Sequence, residues 1–388
     1  MLTDVETLTT IFVFSLIAIL LIKDRKKIER QGILFIRRSS FAKDFIESFG
    51  KKHSGIINKL AIIAVVISFI LMFVGIKYLV TMAMKNILRP VGYTPTPSVG
   101  LVLPTFSPIC KPPYVICVPP LYWLIVILVV VSFHESMHGF IAAASKIKIK
   151  SVGYAFLAIL PAAFVEPDEK KFKKVSEFTK LKVYAGGSFG NIISALLFFL
   201  LLIAIGKAFT IFFEPVGVAF DVINGTPAYY ASLTGYLISI NNASTKTVDD
   251  FIAFMNTTKP NQTISILTSD GMFNLTLAEH PDKHGKGFIG ITNFREVYSL
   301  KNDYQYLKKH EKHMIGAFSW LYGLLNWIFF INIAVAIFNM LPVKPLDGGL
   351  MIESLLKILK IKNAEKISNW ISYLVLITLL VSVFSPIF

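Results

Sequence analysis

The chain is short of charge. Asp, Glu, Lys and Arg together make up 16% of its 388 residues, against 54% for hydrophobic types, and the mean hydropathy is +0.63. A water-soluble domain of this length carries more charge. The apolar residues also fall in long runs, which argues for membrane spans over one large soluble core. Acidic residues are the scarcest charged type, 24 against 39 Lys and Arg, for a formal net charge of +15. The basic residues cluster beside the apolar runs instead of interleaving with aromatics on a polar domain. This excludes nucleic acid as a partner and points to the positive-inside rule and anionic lipid headgroups. Cysteine is nearly absent. Cys110 and Cys117 share the loop ICKPPYVIC with no further Cys or His beside them, which excludes a zinc knuckle. They pair if that loop faces an oxidising space and stay free thiols otherwise. A basic n-region is also missing. Asp4 and Glu6 precede the apolar stretch Thr10 to Ile22, which reads as a first span and not as a cleavable signal.

Six runs are apolar and long enough to cross a hydrocarbon core of about 30 Å. They are Leu8 to Ile22, Leu60 to Met82, Leu121 to Ala144, Ala185 to Phe213, Ile315 to Met340 and Ile367 to Phe384. Basic segments (RKKIER and IRR, then KIKIK and EKKFKK, then LKILKIK) alternate with segments poor in Lys and Arg, and belong on the cytoplasmic side of a cell membrane. The N-terminus, the Pro-rich loop Asn86 to Pro120 and the segment Glu214 to Tyr304 then lie outside. This last segment is polar and shows apolar/polar alternation, as in TISILT and FNLTLAE, so a small β-rich domain is expected there. All five Asn-x-Ser/Thr sequons of the chain fall in it, at Asn224, Asn242, Asn256, Asn261 and Asn274. The expected organisation is a first span and basic segment over 1–59, a membrane part over 60–213, an external domain over 214–304 and a second membrane part over 305–388.

Histidine is rare too, with 7 residues, yet two stand four apart inside an apolar run: His134-Glu135-Ser136-Met137-His138, after VILVVVSF and before GFIAAA. Residues four apart share a helix face, so both imidazoles can reach one metal ion, and Glu135 stands beside them. An ionised side chain at the centre of a span costs about 2.5–3.5 kcal/mol even on the lenient insertion scale. Two imidazoles and a carboxylate in such a place are therefore expected to bind something. A catalytic zinc takes three protein ligands and keeps one position open, and a neighbouring carboxylate serves as general base. The third ligand is expected to be Asp347, in the run NMLPVKPLDGG that ends the fifth span. The basic-loop topology brings that end to the same membrane face as His138. Pro342 and Pro345 break the helix, and Gly348 and Gly349 permit tight turns. His280 and His284, in HPDKHGKG, and His310 and His313, in KKHEKHM, read as solvated residues in a turn and at a membrane border.

These motifs together resemble the site-2 protease family of intramembrane zinc metalloproteases, and the archaeal-type members in particular. HESMH matches the family's HExxH, and Asn339 to Gly349 matches NxxPxxxLDG with Asp347 at the ligand position. Pro161 to Phe172 resembles the stretch that follows the HExxH span, and Ala185 to Asn191 (AGGSFGN) resembles the AGPxxN motif that opens the fourth span. Gly187 stands where Pro is frequent, and Leu350 where Arg is common. The resemblance implies a zinc ion held by His134, His138 and Asp347, with Glu135 as catalytic base. It also implies an active-site position for Asn191, whose amide could meet the substrate carbonyl or the developing oxyanion. Val216 to Ala228 and Tyr236 to Asn242 resemble the PDZ domains inserted in this family, which bind extended peptide ends by strand addition. Such a domain could also act as a steric filter. Members of the family release membrane-tethered regulators or clear signal-peptide remnants.

The expected fold class is thus a polytopic α-helical membrane protein of about six spans with an inserted PDZ-like domain, acting on transmembrane protein or peptide substrates. A substrate helix hides its carbonyls in its own hydrogen bonds and must unwind before attack. Ser151 to Val165, apolar and with β character, is the expected place for the unwound segment to add as a strand. Two other readings use the same residues differently. A non-catalytic PDZ scaffold has no use for Glu135, and a metal-binding transporter needs neither Glu135 nor a peptide-binding domain.

Overall fold

The structure, a computed structural model, describes residues 27–90, 99–105, 115–157 and 160–384, and the single positions 11, 15, 19, 23, 92, 94 and 97. The expected first span, Leu8 to Ile22, lies outside the described residues but for three of these positions. In chain order the elements begin with strands β1 (Ile28–Gln31) and β2 (Leu34–Arg38) and helices α1 (Ser40–Lys52) and α2 (Ser54–Leu88). There follow β3 (Leu101–Pro104), β4 (Val115–Val118), α3 (Pro120–Ala144), β5 (Ile149–Leu157), β6 (Leu160–Pro167), α4 (Glu169–Lys174) and α5 (Glu177–Phe212). Next come β7 (Phe213–Val222), α6 (Pro227–Tyr230), β8 (Tyr236–Ile240), β9 (Ala243–Ser244), α7 (Val248–Met255), β10 (Thr263–Thr268) and β11 (Gly271–Thr276). The chain continues through β12 (Ala278–His280), β13 (Lys283–Phe288), β14 (Ile291–Leu300) and a 3-10 stretch, Asn302–His310. It closes with α8 (Glu311–Asn339), α9 (Asp347–Ile358) and α10 (Ala364–Phe384). Five helical stretches among the described residues are long and apolar enough to cross a membrane: α2, α3, α5, α8 with the 3-10 stretch before it, and α10.

The chain divides into two compact units, residues 1–202 with 323–388, and residues 203–322. In the first, Pro120 opens α3 at a position where its missing N–H costs nothing. The strands β5 and β6 then pair antiparallel, in agreement with the β character read over Ser151 to Val165. This pair extends the β1–β2 hairpin into a four-stranded sheet of order β1-β2-β5-β6. Glu47 on α1 accepts the Ile149 N–H at 2.9 Å, fixing where β5 begins. Ile46, Ile57, Ile141, Ile147, Ile149 and Val152 are buried together between α1, α2, α3 and this sheet.

One helix reaches well beyond the apolar run that marked it. The helix α5 starts at Glu177, not at Ala185, so AGGSFGN lies two turns inside it. The polar turns before the apolar run are helical but add nothing to a hydropathy signal. The reason for the small residues is then plain. A Cβ at Gly190 would sit 2.5 Å from the Phe133 carbonyl oxygen, and one at Gly186 would stand 2.9 Å from Ile141 Cδ1 and 3.3 Å from the Met137 oxygen. Glycines let α5 approach α3 backbone to backbone, the usual means of close helix packing in membranes.

The second unit is β-rich, as the alternation in residues 214–304 implied. Its main sheet runs β11-β10-β8-β7-β14, with β9 beside β8. Val218, Leu237, Ile240, Phe251, Ile264 and Ile266 are buried in its core. His280 and His284 stand in the β12–β13 hairpin. Cys117, in β4, is disulfide-bonded, and Cys110 lies outside the described residues.

Candidate metal centre

The spacing of His134 and His138 on α3 puts their rings on one face, edge to face with centroids 4.8 Å apart. Their Nε2 atoms are 3.2 Å from each other. Asp347 is the first residue of α9, where the helix dipole favours a negative charge. Its Oδ2 lies 3.3 Å from His134 Nε2 and 3.2 Å from His138 Nε2. The three atoms come from stretches more than 200 residues apart in sequence and lie within 4.8 Å of one another. The side chains are 13%, 16% and 14% exposed, so water cannot fully replace a missing partner.

Backbone geometry delivers Asp347 to this place. A Cβ at Gly348 would fall 2.3 Å from the Met340 oxygen, and one at Gly349 would fall 2.6 Å from the Lys344 nitrogen. The double glycine therefore lets residues 340–346 fold back over the start of α9. Lys344 then clamps the turn. Its ammonium pairs with Glu353 and reaches Asn369 Oδ1 at 2.9 Å, and its N–H donates to Ser372 Oγ at 3.2 Å. Burial works against ionisation of Glu353, but Lys344 and Lys357 outweigh it and hold the carboxyl below the usual carboxylate range. Replacing Glu353 with Gln is expected to lower the thermal midpoint and weaken metal binding several-fold. A group whose pKa is depressed on folding stabilises fully above its unfolded value, about 4.3 for Glu, and loses this as pH falls through the folded one. The gap between wild type and variant in thermal scans should therefore narrow below about pH 4.

Polar groups around the rings select their tautomers. His138 Nδ1 donates to the Val183 carbonyl at 2.6 Å, which leaves Nε2 free to ligate. Asn191, fully buried on α5, has its Nδ2 3.2 Å from His134 Nδ1 and its Oδ1 without any partner. Glu135 turns toward the sheet, where its Oε2 accepts the Val165 N–H of β6 at 3.0 Å. Sequence reasoning had no access to Val183 or Val165, because both act through the main chain. Nor did it assign Gly187 a function. A Cβ there would lie 2.4 Å from both His134 Cε1 and His138 Nε2, so glycine leaves the imidazoles their room.

The donor set fits zinc. Two imidazole nitrogens and one carboxylate oxygen are a known catalytic-zinc set. Asp347 Oδ2 lies within ion-pair distance of both rings, yet it is buried and makes no hydrogen bond of acceptable geometry. Such an atom is costly unless a cation satisfies it. His280, His284, His310 and His313 belong to no such group among the described residues.

Comparison with known proteins gives the family of the chain. An uncharacterized protein of Methanocaldococcus jannaschii is 24% identical over 320 residues, covering 82% of this chain and 76% of that protein. Residues 122–382, which carry HESMH, AGGSFGN and the LDG run alike, match the family model described as Peptidase family M50. On that match the chain belongs to peptidase family M50, the site-2 protease family of membrane metalloproteases.

Proposed function

We propose that this protein is a zinc endopeptidase that hydrolyses peptide bonds within or next to the membrane-spanning helices of its substrates, by regulated intramembrane proteolysis. The observation that carries this reading is the convergence of His134 Nε2, His138 Nε2 and Asp347 Oδ2 on one point, with Glu135 on the same helix. When bound, zinc supplies Lewis-acid polarisation of the attacked carbonyl and of the attacking water. Glu135 takes the proton of that water and returns it to the leaving amine. Asn191 orients His134. With its amide turned about, Oδ1 would accept the Nδ1–H and Nε2 would be left to ligate, which also gives the buried oxygen its missing partner. Amide oxygen and nitrogen are nearly isosteric, so this is a choice of assignment and not of position. This role differs from the oxyanion contact that the resemblance suggested.

The alternating basic loops support an active site toward the cytoplasmic side and an external second unit. The PDZ-like reading of that unit rests on a cavity of about 230 Å³ between α7 and β14, the strand at the edge of its sheet. Ile252 and Met255 line one wall and Ile291 and Phe294 the other, and Lys286 donates to the Asn256 carbonyl at 2.6 Å at its end. A groove of mixed apolar and basic lining, beside a strand that pairs on one side only among the described residues, suits an extended peptide.

A scaffold or a transporter makes no use of a carboxylate placed beside the first ligand. The deciding experiment is cleavage of transmembrane peptides by the purified protein, with bound metal measured in parallel. One zinc per chain, inactivation by a chelator and recovery on adding zinc are expected. A preparation that holds one zinc but cuts nothing in a broad substrate panel would refute the reading.

A further inference from the structure

The second unit holds five asparagines in the pattern Asn-x-Ser/Thr, none with proline at the middle position. All five are exposed: Asn224 after β7, Asn242 in the β8–β9 turn, Asn256 after α7, Asn261 before β10 and Asn274 on β11. None of their side-chain amides has a hydrogen-bond partner among the described residues. Two asparagines of the same unit outside the pattern behave differently. Asn241 Oδ1 accepts the Ser265 N–H at 2.8 Å, and Asn293 Nδ2 donates to Asp221 Oδ2 at 2.9 Å. The fold thus uses those two amides and leaves the five sequon amides to solvent. On β11, at one end of the sheet, Asn274 shares an exposed face with Met272 and Thr276 while Leu275 is buried.

The hydroxyl two residues on separates the five. Thr226 Oγ1 donates to the Ile223 carbonyl at 2.6 Å, and Thr258, 1% exposed, donates to the Met255 carbonyl at 2.7 Å. Thr263 and Thr276 bond each other at 3.0 Å. Ser244 is exposed and has no such partner among the described residues. Asn241 and Asn242 form the two-residue turn between β8 and β9, at φ 48° and 61°, which is the type I′ geometry that asparagine favours. Only at Asn242 are the amide and the hydroxyl both open, on the tip of a hairpin.

We propose that this unit is N-glycosylated, with Asn242 as its principal acceptor. The co-reactant is an oligosaccharide carried on a lipid phosphate. Asn242 Nδ2 attacks the anomeric carbon and a C–N bond forms. The bond from that carbon to the phosphate oxygen breaks, its electron pair leaves on the lipid phosphate, and the amide gives up one proton. A glycan there is bulky and solubilising but displaces no contact of the fold. Asn256, by contrast, lines the cavity beside α7. Its buried Thr258 hydroxyl keeps the sequon unread once the unit has folded, so the groove stays clear. The inference goes beyond the protease reading and does not need it. It needs only the external placement of residues 214–304.

The test is mass spectrometry of the full-length protein purified from the membranes of its native host. The peptide holding Asn242 is expected to carry an added mass of whole sugar units, on a larger share of molecules than the peptides holding Asn224 or Asn256. Ser244→Ala should abolish that mass with Asn242 itself intact, and Ser244→Thr should keep it. Asn242→Asp, a residue that tolerates the left-handed turn, should lose the same mass. An unmodified Asn242 in the wild-type protein would overturn the proposal. Sugar that persists in Ser244→Ala would overturn the sequon as its signal. Fuller occupancy of Asn224 or Asn256 would overturn the rank given to Asn242. None of these outcomes touches the metal centre, so the protease reading stands or falls separately.

Discussion

Replacing Glu135 with Gln is expected to remove nearly all cleavage and leave zinc in place. Gln keeps the length of the side chain, and its amide oxygen can still accept the Val165 N–H that Glu135 accepts at 3.0 Å. What disappears is the group that takes a proton from water and returns it. General acid–base catalysis contributes roughly 10²–10⁴ in rate, which is about 3–5 kcal/mol of barrier. The variant should therefore fall by that factor in kcat and keep one zinc by metal analysis. A variant that still cuts within tenfold of wild type would assign the base elsewhere. A variant that loses its zinc would make Glu135 part of the ligand set.

Replacing Asp347 with Ala should act on the metal first. Its Oδ2, the proposed third ligand atom, lies 3.2–3.3 Å from both ring nitrogens, and two imidazoles from one helix cannot complete a catalytic zinc site alone. Loss of a group that merely orients a ligand typically costs 10–100-fold in metal affinity, and loss of the ligand should cost more. Asn191→Leu supplies the comparison, because it removes the amide beside His134 Nδ1 and leaves all three ligands. Chelator competition should order the proteins as wild type, then Asn191→Leu about 10–100-fold weaker, then Asp347→Ala weaker still. Asp347→Ala binding zinc as tightly as wild type would end the three-ligand assignment. Asn191→Leu with unchanged affinity and a large loss of kcat would return Asn191 to the oxyanion role.

The parts of this site that were legible in the sequence are those carried by side chains in rigid local patterns. His134 and His138 announce a shared helix face by spacing alone. Asp347 could be matched to them because positive-inside topology already placed the ends of two spans on one side of the membrane. The pair of strands β5 and β6 showed as apolar β character. Its union with residues 28–38 did not, because IERQGILFIRR reads first as a basic flank and strand pairing across about 120 residues leaves no local mark. The start of α5 at Glu177 was hidden for a related reason. An apolar run marks where lipid begins, while the helix continues through Glu177, Lys180 and Lys182. The small residues of AGGSFGN were recognisable only by resemblance, since what they avoid is the backbone of another helix.

The 2.6 Å bond from His138 to the carbonyl of residue 183 has one more implication. Exchange of the side chain at that position leaves the carbonyl in place, so a variant such as Val183→Ala, which keeps the helix, should keep the contact. The bond can be lengthened only by sliding one transmembrane rod along or away from the other. On the proposed ligand set, grip on a bound zinc is geared to how far apart those rods stand. An amphiphile or a tight-binding peptide that wedges them open should make the protein leak zinc with every ligand residue still in place.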